Sequence, residues 1–210
     1  MEKELQNLLE RVGELYLRYG IKSVTMDDIA SELGMSKKTI YQYVENKNDL
    51  VGKVIDYHLY ERGCEFLAIF EKNLNAVEEL LAVGVQIIKS IKDQNPSTEY
   101  DLRKYYPEHF NKLQKVRKER MYNATIKNIR KGIEEGLFRK DLNDEVIAKI
   151  QTSRFLNMGA DEFFDPEEML KPKNILELFI YHIRGIANPK GLVVLEETLK
   201  KIDIQEFLTS

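Results

Sequence analysis

Three helix-start signals stand close together near the N-terminus, and they constrain the fold more than any other feature of the sequence. Residues that favour the N-cap position occur at Thr25, Ser36 and Asn46, and the pairs of Thr25 with Asp28 and Asn46 with Asp49 resemble capping boxes. Between the first two signals lies Gly34, which can adopt positive φ in a tight turn. The spacing therefore predicts a helix over about 25–32 and another over about 36–43, arranged as a helix-turn-helix.

The second of these helices has one apolar side and one polar side. Ile40 and Val44 are its apolar residues, and Ile29 and Leu33 offer an apolar face on the preceding helix. Because a helix turns by about 100° per residue, burying Ile40 and Val44 turns the polar side outward. A DNA major groove admits such a helix, and recognition helices contact bases near their N-terminal end. The residues that we expect to contact DNA are Thr25, Ser36, Lys37, Lys38, Thr39, Tyr41, Gln42, Tyr43 and Lys47.

The chemistry of these side chains suits both kinds of DNA contact. Lys37 and Lys38 can pair with phosphate or guanine, and Gln42 can pair with adenine. Thr25 and Lys47 lie at predicted helix starts, where free backbone N–H groups and the helix dipole attract phosphate. This pattern predicts a DNA-reading edge.

Charge does not separate DNA binding from an ordinary solvated helical bundle. Residues 33–47 carry three Lys and one Glu, but residues 1–47 carry seven basic and eight acidic side chains. The whole chain has 32 basic and 35 acidic residues, a net charge of -3. The physical chemistry of the segment leaves both interpretations open.

The remainder of the sequence also has helical periodicity. Five Pro and 11 Gly are few for 210 residues, and alternation of period two, typical of strands, is hard to find. We therefore predict an all-α fold. After a first helix that ends near Gly20, further helical runs are expected at about 47–72, 75–93, 107–135, 143–164, 173–187 and 191–200.

The segment TMDDIASELGMSKKTIYQYVENKNDL resembles the DNA-binding segment of the TetR/AcrR family of bacterial transcriptional regulators. The resemblance covers roughly the first 50 residues. One departure is Val44, where the family usually has phenylalanine; the smaller side chain should still pack inward.

The resemblance implies about nine or ten helices in two domains. Residues 1–47 would form a three-helix DNA-binding domain, and residues 48–210 a larger ligand-binding and dimerisation domain. It further implies a ligand-responsive regulator, most often a repressor, that binds a double-stranded, near-palindromic operator as a homodimer and is released by a small molecule. The half-sites of such an operator lie about 34–36 Å apart, or at a related spacing.

Two helical runs near the C-terminus are candidates for the dimer interface. The run 173–187 has a single apolar stripe, and with the run 143–164 it resembles the helix pair that forms a four-helix dimer interface in this family. An internal core helix would show the same stripe. The candidate interface residues are Ile150, Met158, Leu178, Phe179, His182 and Ile186.

Aromatic side chains supply candidates for the effector site, although aromatic residues at helical spacing more often pack a core. The candidates are Phe66, Phe70, Tyr100, Tyr105, His109, Tyr122 and Phe155. A basic helical stretch, residues 112–131, carries eight Lys or Arg and one Glu. A solvated face explains it most simply, and an anionic ligand or second DNA contact is the alternative.

No catalytic constellation is recognisable. The three His are isolated, Cys64 is the single cysteine, and no phosphate loop or nucleophile elbow occurs. We therefore expect no enzyme activity, no cofactor and no bound metal. The N-terminus lacks a signal-like apolar region and no apolar run reaches about 20 residues, so a cytoplasmic protein without membrane contact is expected. The alternative function is a helical dimeric interaction protein whose head does not bind DNA.

Overall fold

The computed structural model describes residues 2–92, 96–157, 168 and 170–201. It gives the bounds of ten α-helices in these ranges, which confirms the predicted all-α class. In chain order they are α1 Glu2–Tyr19, α2 Met26–Leu33, α3 Lys37–Ile40, α4 Lys47–Phe70, α5 Ala76–Lys92, α6 Pro96–Tyr105, α7 Pro107–Glu134, α8 Asp144–Leu156, α9 Pro172–Ile186 and α10 Pro189–Lys201. Among the described residues, none of these helices is both long enough and apolar enough to cross a bilayer.

Most helices begin and end within a few residues of the sequence prediction, and two differ from it. Helix α3 has four residues, because after Ile40 the backbone bonds shorten to the i→i−3 type: Gln42 N–H donates to Thr39 O at 3.2 Å and Tyr43 N–H to Ile40 O at 2.9 Å. Helix α6 was not predicted at all. The last part of the predicted run 143–164 lies outside the described residues.

The chain divides into two compact units, each assembled from separate stretches. The first unit comprises Met1–Glu65 and Asp93–Val116. Its core takes buried side chains from α1, α2, α3, the first half of α4, α6, the start of α7 and the turns between the early helices; among them are Leu8, Val12, Ile29, Ile40, Val44, Leu50, Leu102 and Leu113. Burying each such side chain stabilises the fold by about 1.5–3 kcal/mol before entropy is counted. Val44, although smaller than the family's phenylalanine, is 3% exposed.

The second unit comprises Phe66–Lys92 and Arg117–Ser210. Helix α9 packs on α5 and α10, and its apolar stripe supplies much of the core. An isolated antiparallel bridge joins Phe138 to Ala187, and the Phe138 ring occupies the space that a side chain at Gly132 would fill. A buried carboxylate, Glu79, pairs with Lys131 and accepts a hydrogen bond from Asn128 at 2.9 Å.

These units describe packing, whereas the sequence prediction concerned functional domains. The boundary predicted at residue 47, between a DNA-binding domain and a ligand-binding and dimerisation domain, stays a prediction.

Candidate nucleic-acid interface

The first helix of the helix-turn-helix begins at a complete capping box. Thr25 Oγ1 accepts the N–H of Asp28 at 3.2 Å, and Thr25 N–H donates to Asp28 Oδ2 at 2.8 Å. Both hydrogen bonds satisfy donors that the helix leaves free. At its other end, Gly34 has φ +66°, a left-handed conformation that lets the chain turn sharply into α3.

Helix α3 is capped by its own short polar residues. Ser36 Oγ accepts the N–H of Thr39 at 3.1 Å and lies 2.7 Å from Thr39 Oγ1. The turn that follows keeps residues 41–43 close to the helical path, since Tyr41 N–H donates to Lys37 O at 2.9 Å. The predicted reading edge is therefore one helical turn and a tight continuation of it.

The two sides of this edge are sorted as the periodicity predicts. Ile40 is fully buried and Val44 is 3% exposed. The polar residues of the edge face solvent or are half-buried: Ser36, Lys37, Lys38, Tyr41 and Gln42 are exposed, and Thr39 and Tyr43 are intermediate. Burial of the apolar pair thus leaves a polar strip open to a ligand.

Lys37 and Tyr43, two of the predicted DNA-contacting side chains, already pair with carboxylates of the protein. Lys37 Nζ lies 2.6 Å from Asp27 Oδ1, and this contact raises the pKa of Lys37. Tyr43 donates its hydroxyl to Glu4 Oε2 at 3.1 Å; partial burial and this carboxylate raise the pKa of Tyr43. Both pairs are at the surface, where solvent screening keeps such interactions weak, so a phosphate can compete for either side chain.

Lys47 is held at the first residue of α4. Its Nζ donates to Ile21 O at 2.8 Å and lies 3.4 Å from Lys22 O, in the turn between α1 and α2. Burial lowers the pKa of Lys47, and the carboxylates of Asp101 and Asp28 oppose that shift. These contacts therefore hold the ammonium of Lys47 in one orientation.

The sequence analysis missed α6 and its contacts with the α1–α2 turn. Asp101 Oδ2 accepts the N–H of Lys22 at 2.8 Å, and Thr98 donates its hydroxyl to Tyr16 O at 2.7 Å. A start signal was present: Pro96 at the first helical position, with Glu99 in the first turn, is typical of a helix N-terminus.

The candidate effector residues belong to different units. Tyr100, Tyr105 and His109 are in the first unit, where Tyr105 OH accepts a hydrogen bond from Lys22 Nζ at 2.7 Å and His109 Nε2 lies 3.1 Å from Asn48 O. The second unit contains Phe66, Phe70, Tyr122 and Phe155. No single unit brings the seven side chains together, and the effector site stays a prediction.

The candidate dimer residues lie on α8 and α9, apart from Met158, which is outside the described residues. Ile150 is 51% exposed and Leu178 is half-buried, whereas Phe179, His182 and Ile186 are buried. A cleft of about 350 Å³ opens between the two helices, lined in part by Ile150, Gln151, Arg154, Tyr181 and His182. Among the described residues, three buried polar atoms in or beside this cleft have no hydrogen-bond partner: Gln151 Oε1, Thr152 Oγ1 and His182 Nε2.

A helix-turn-helix with an outward polar edge, in a chain that continues into a second helical unit, defines a class of DNA-binding regulators. Residues 9–54 match the family described as bacterial regulatory proteins, tetR family. The resemblance seen in the sequence is thereby confirmed over these residues, and the proteins to which the chain is similar are transcriptional regulators, not enzymes.

The likeness to known proteins extends beyond residues 9–54. A Bacillus subtilis (strain 168) protein, described as the uncharacterized HTH-type transcriptional regulator YvaF, is 26% identical over 153 residues, covering 71% of this chain and 75% of that protein. A TetR transcription regulator from Haloarcula marismortui ATCC 43049 has a TM-score of 0.70 at 17% identity, over 90% of this chain and 100% of that chain.

A Saccharomonospora viridis protein solved in complex with choline has a TM-score of 0.64 at 18% identity, over 90% of this chain and 100% of that chain. At such identities the two solved structures show the shared fold.

Proposed function

We propose that the protein is a ligand-responsive repressor that binds a near-palindromic DNA operator as a homodimer and is released by a small molecule. The observation that supports this most directly is the polar edge of residues 36–43, which burial of Ile40 and Val44 turns to solvent. We further propose that it acts in the cytoplasm.

Within this edge, different residues would serve positioning and base reading. Lys38 and Gln42 are exposed; Gln42 is long enough to reach a base edge, and Lys38 can reach phosphate or guanine. Tyr41, 46% exposed, can donate its hydroxyl to a phosphate. Thr25, Ser36, Lys37, Thr39, Tyr43 and Lys47 complete the proposed DNA surface.

The face formed by α8 and α9 supports the proposed homodimer. Ile150 and Tyr181 expose apolar surface, and Gln151 and His182 bury polar atoms that lack a partner within the described residues. A two-fold contact between copies would cover the first pair and offer hydrogen-bond partners to the second. Two recognition edges would then reach successive major grooves.

A small-molecule effector is supported by the aromatic content of the helices and by the choline complex of the Saccharomonospora viridis protein. We propose that the effector binds at a subset of the aromatic candidates and shifts the population of DNA-binding conformations. The choline complex belongs to that relative, and the effector of this protein is proposed only as a small molecule.

The experiment that tests the proposal is the selection of bound duplexes from a random DNA pool, followed by titration at about 50 mM and about 200 mM salt. Two copies each of Lys37, Lys38 and Lys47 on phosphates predict a slope of roughly -5 in log affinity against log salt, at about -0.9 per contact. Selected sites should show a two-fold repeated sequence. An affinity that does not change with salt would overturn the proposal in favour of a helical interaction protein.

Base reading by Gln42 is tested separately. Gln42→Ala should relax the sequence preference at one position of each half-site and cost about 1–3 kcal/mol of binding there. Gln6→Ala, an exposed glutamine on α1, is the matched control and should leave the preference unchanged. An unaltered preference in Gln42→Ala would transfer the reading role to Lys38 or Thr39.

A further inference from the structure

A buried carboxylate on α6 holds the turn between α1 and α2. Asp101 is 8% exposed, and its Oδ2 accepts the N–H of Lys22 at 2.8 Å. Gly20 opens this turn with φ +82°, and a Cβ there would meet Ser97 Oγ at 2.6 Å and Asp101 Oδ2 at 3.2 Å. The first turns of α6 therefore lie directly against the α1–α2 turn, and only glycine leaves them room.

The same turn orients the ammonium of Lys47. Two carbonyls of the turn, Ile21 O at 2.8 Å and Lys22 O at 3.4 Å, face Nζ. An ammonium has three N–H donors, so one donor remains for a DNA phosphate. Lys47 is also the first residue of α4, where the positive end of the helix dipole favours the same phosphate. The conformation of the turn thus decides where this lysine points.

We infer that Asp101 is a positioning residue for a phosphate contact made by Lys47, an inference that rests on the proposed DNA-binding function. The carboxylate fixes the N–H of Lys22. The Ile21 carbonyl belongs to the same peptide group and the Lys22 carbonyl to the next one, so both are held as acceptors for Nζ. The negative charge of Asp101 also stabilises the ammonium of Lys47. Asp101 acts through the lysine and does not itself approach DNA.

The test compares two variants of the acceptor. Asp101→Ala removes it, whereas Asp101→Asn keeps a side-chain oxygen that can accept the N–H of Lys22. The affinity of each full-length variant for a fluorescent random-sequence duplex is measured at about 50 mM and about 200 mM salt. Two Lys47 contacts per dimer contribute about 1.8 to the salt slope, so Asp101→Ala should flatten the slope by up to that amount and Asp101→Asn should restore most of it.

A double-mutant cycle asks whether Asp101 acts through Lys47. If it does, Lys47→Ala and the double variant with Asp101→Ala have the same slope, because the contact is already lost. Thr98→Val is the matched control: it removes the other α6 hydrogen bond, to Tyr16 O, and should leave the slope at the wild-type value. An equal loss in Thr98→Val would assign the effect to the general anchoring of α6 and overturn the inference.

Thermal unfolding is measured on the same samples, because a purely structural Asp101 would lower Tm and leave the salt slope of the folded protein unchanged. That result, with the wild-type protein binding DNA normally, would overturn the inference and leave the proposed function intact. Loss of salt dependence in the wild-type protein would instead refute the proposed function itself.

Discussion

At the scale of single residues, Thr25 takes part in both hydrogen bonds of the capping box at the start of α2. Thr25→Ala removes the acceptor for the Asp28 N–H, so the free energy of unfolding should fall by about 1 kcal/mol. Thr25→Ser keeps the hydroxyl and should lose only a small part of this. Urea denaturation followed by circular dichroism measures both; equal stability of the alanine variant and the wild type would show that the cap contributes nothing.

His182 links the stability of the protein to pH. Burial, and to a lesser extent Arg154, lowers the pKa of His182 from 6.5 to about 4. The unfolded chain therefore takes up this proton at a higher pH than the folded chain, so the stabilisation is complete above pH 6.5 and is lost as pH falls towards 4. The shift corresponds to about 3 kcal/mol.

His182→Gln should flatten the dependence of unfolding free energy on pH in this window. The measurement is urea denaturation of both proteins across the window. A wild-type stability that rises as the solution is acidified would contradict the assignment.

At the residue scale, the sequence predicts which side chains are buried when the periodicity of a single helix determines it. The inward Ile40 and Val44 follow from periodicity alone. The ion pair of Lys37 with Asp27 and the two carbonyls that hold Lys47 involve residues ten or more positions away. Such contacts depend on how the helices pack, which periodicity does not specify.

At the scale of elements, Gly34 lies in the turn between α2 and α3, the two helices of the helix-turn-helix. Its φ of +66° is unfavourable for residues with a Cβ, although a Cβ there would meet no atom within 4 Å. Gly34→Ala should therefore destabilise the protein by about 1–2 kcal/mol through backbone strain alone. Gly34→Asn should lose less, since Asn tolerates this conformation. Chemical denaturation of the two variants provides the check, and an alanine variant as stable as the wild type would be the contrary result.

Elements with strong apolar stripes, such as α1 and α9, are predictable from sequence. Helix α6 is not, because among its residues of described burial, 97–105, only Leu102 and Asp101 are buried. A helix with so short an apolar stripe gives little periodic signal, and its Pro96 start is the main clue. Helix α3 ends early for another reason: Tyr41 and Tyr43 favour helix only moderately, and the backbone after Ile40 tightens into a turn.

At the scale of the whole molecule, the proposed homodimer predicts a change in mass. Ile150 is 51% exposed on α8, so Ile150→Glu should leave a single subunit folded but place a carboxylate in the contact. Analytical ultracentrifugation should then show a monomer with weaker DNA binding. Val193→Glu, at a 57% exposed valine on α10, is the matched control and should remain dimeric. A dimeric Ile150→Glu variant would place the contact elsewhere.

The all-α class and the resemblance of the first 50 residues to the TetR family are visible in the sequence, whereas the two packing units are not. The first unit joins Met1–Glu65 to Asp93–Val116, and sequence order gives no indication that the second stretch returns to the first. Such pairing depends on tertiary packing of α6 and α7, which local patterns leave undetermined.

The return of the chain to its first unit limits how the protein can be dissected. Leu102 and Leu113 complete the core around the helix-turn-helix, and both lie more than fifty residues beyond Lys47. A fragment truncated after Lys47 would leave that apolar surface bare and lose the start of α4 as well. An isolated DNA-binding unit could not be excised as one contiguous piece. It would need the Asp93–Val116 stretch joined to Met1–Glu65 through a new connection.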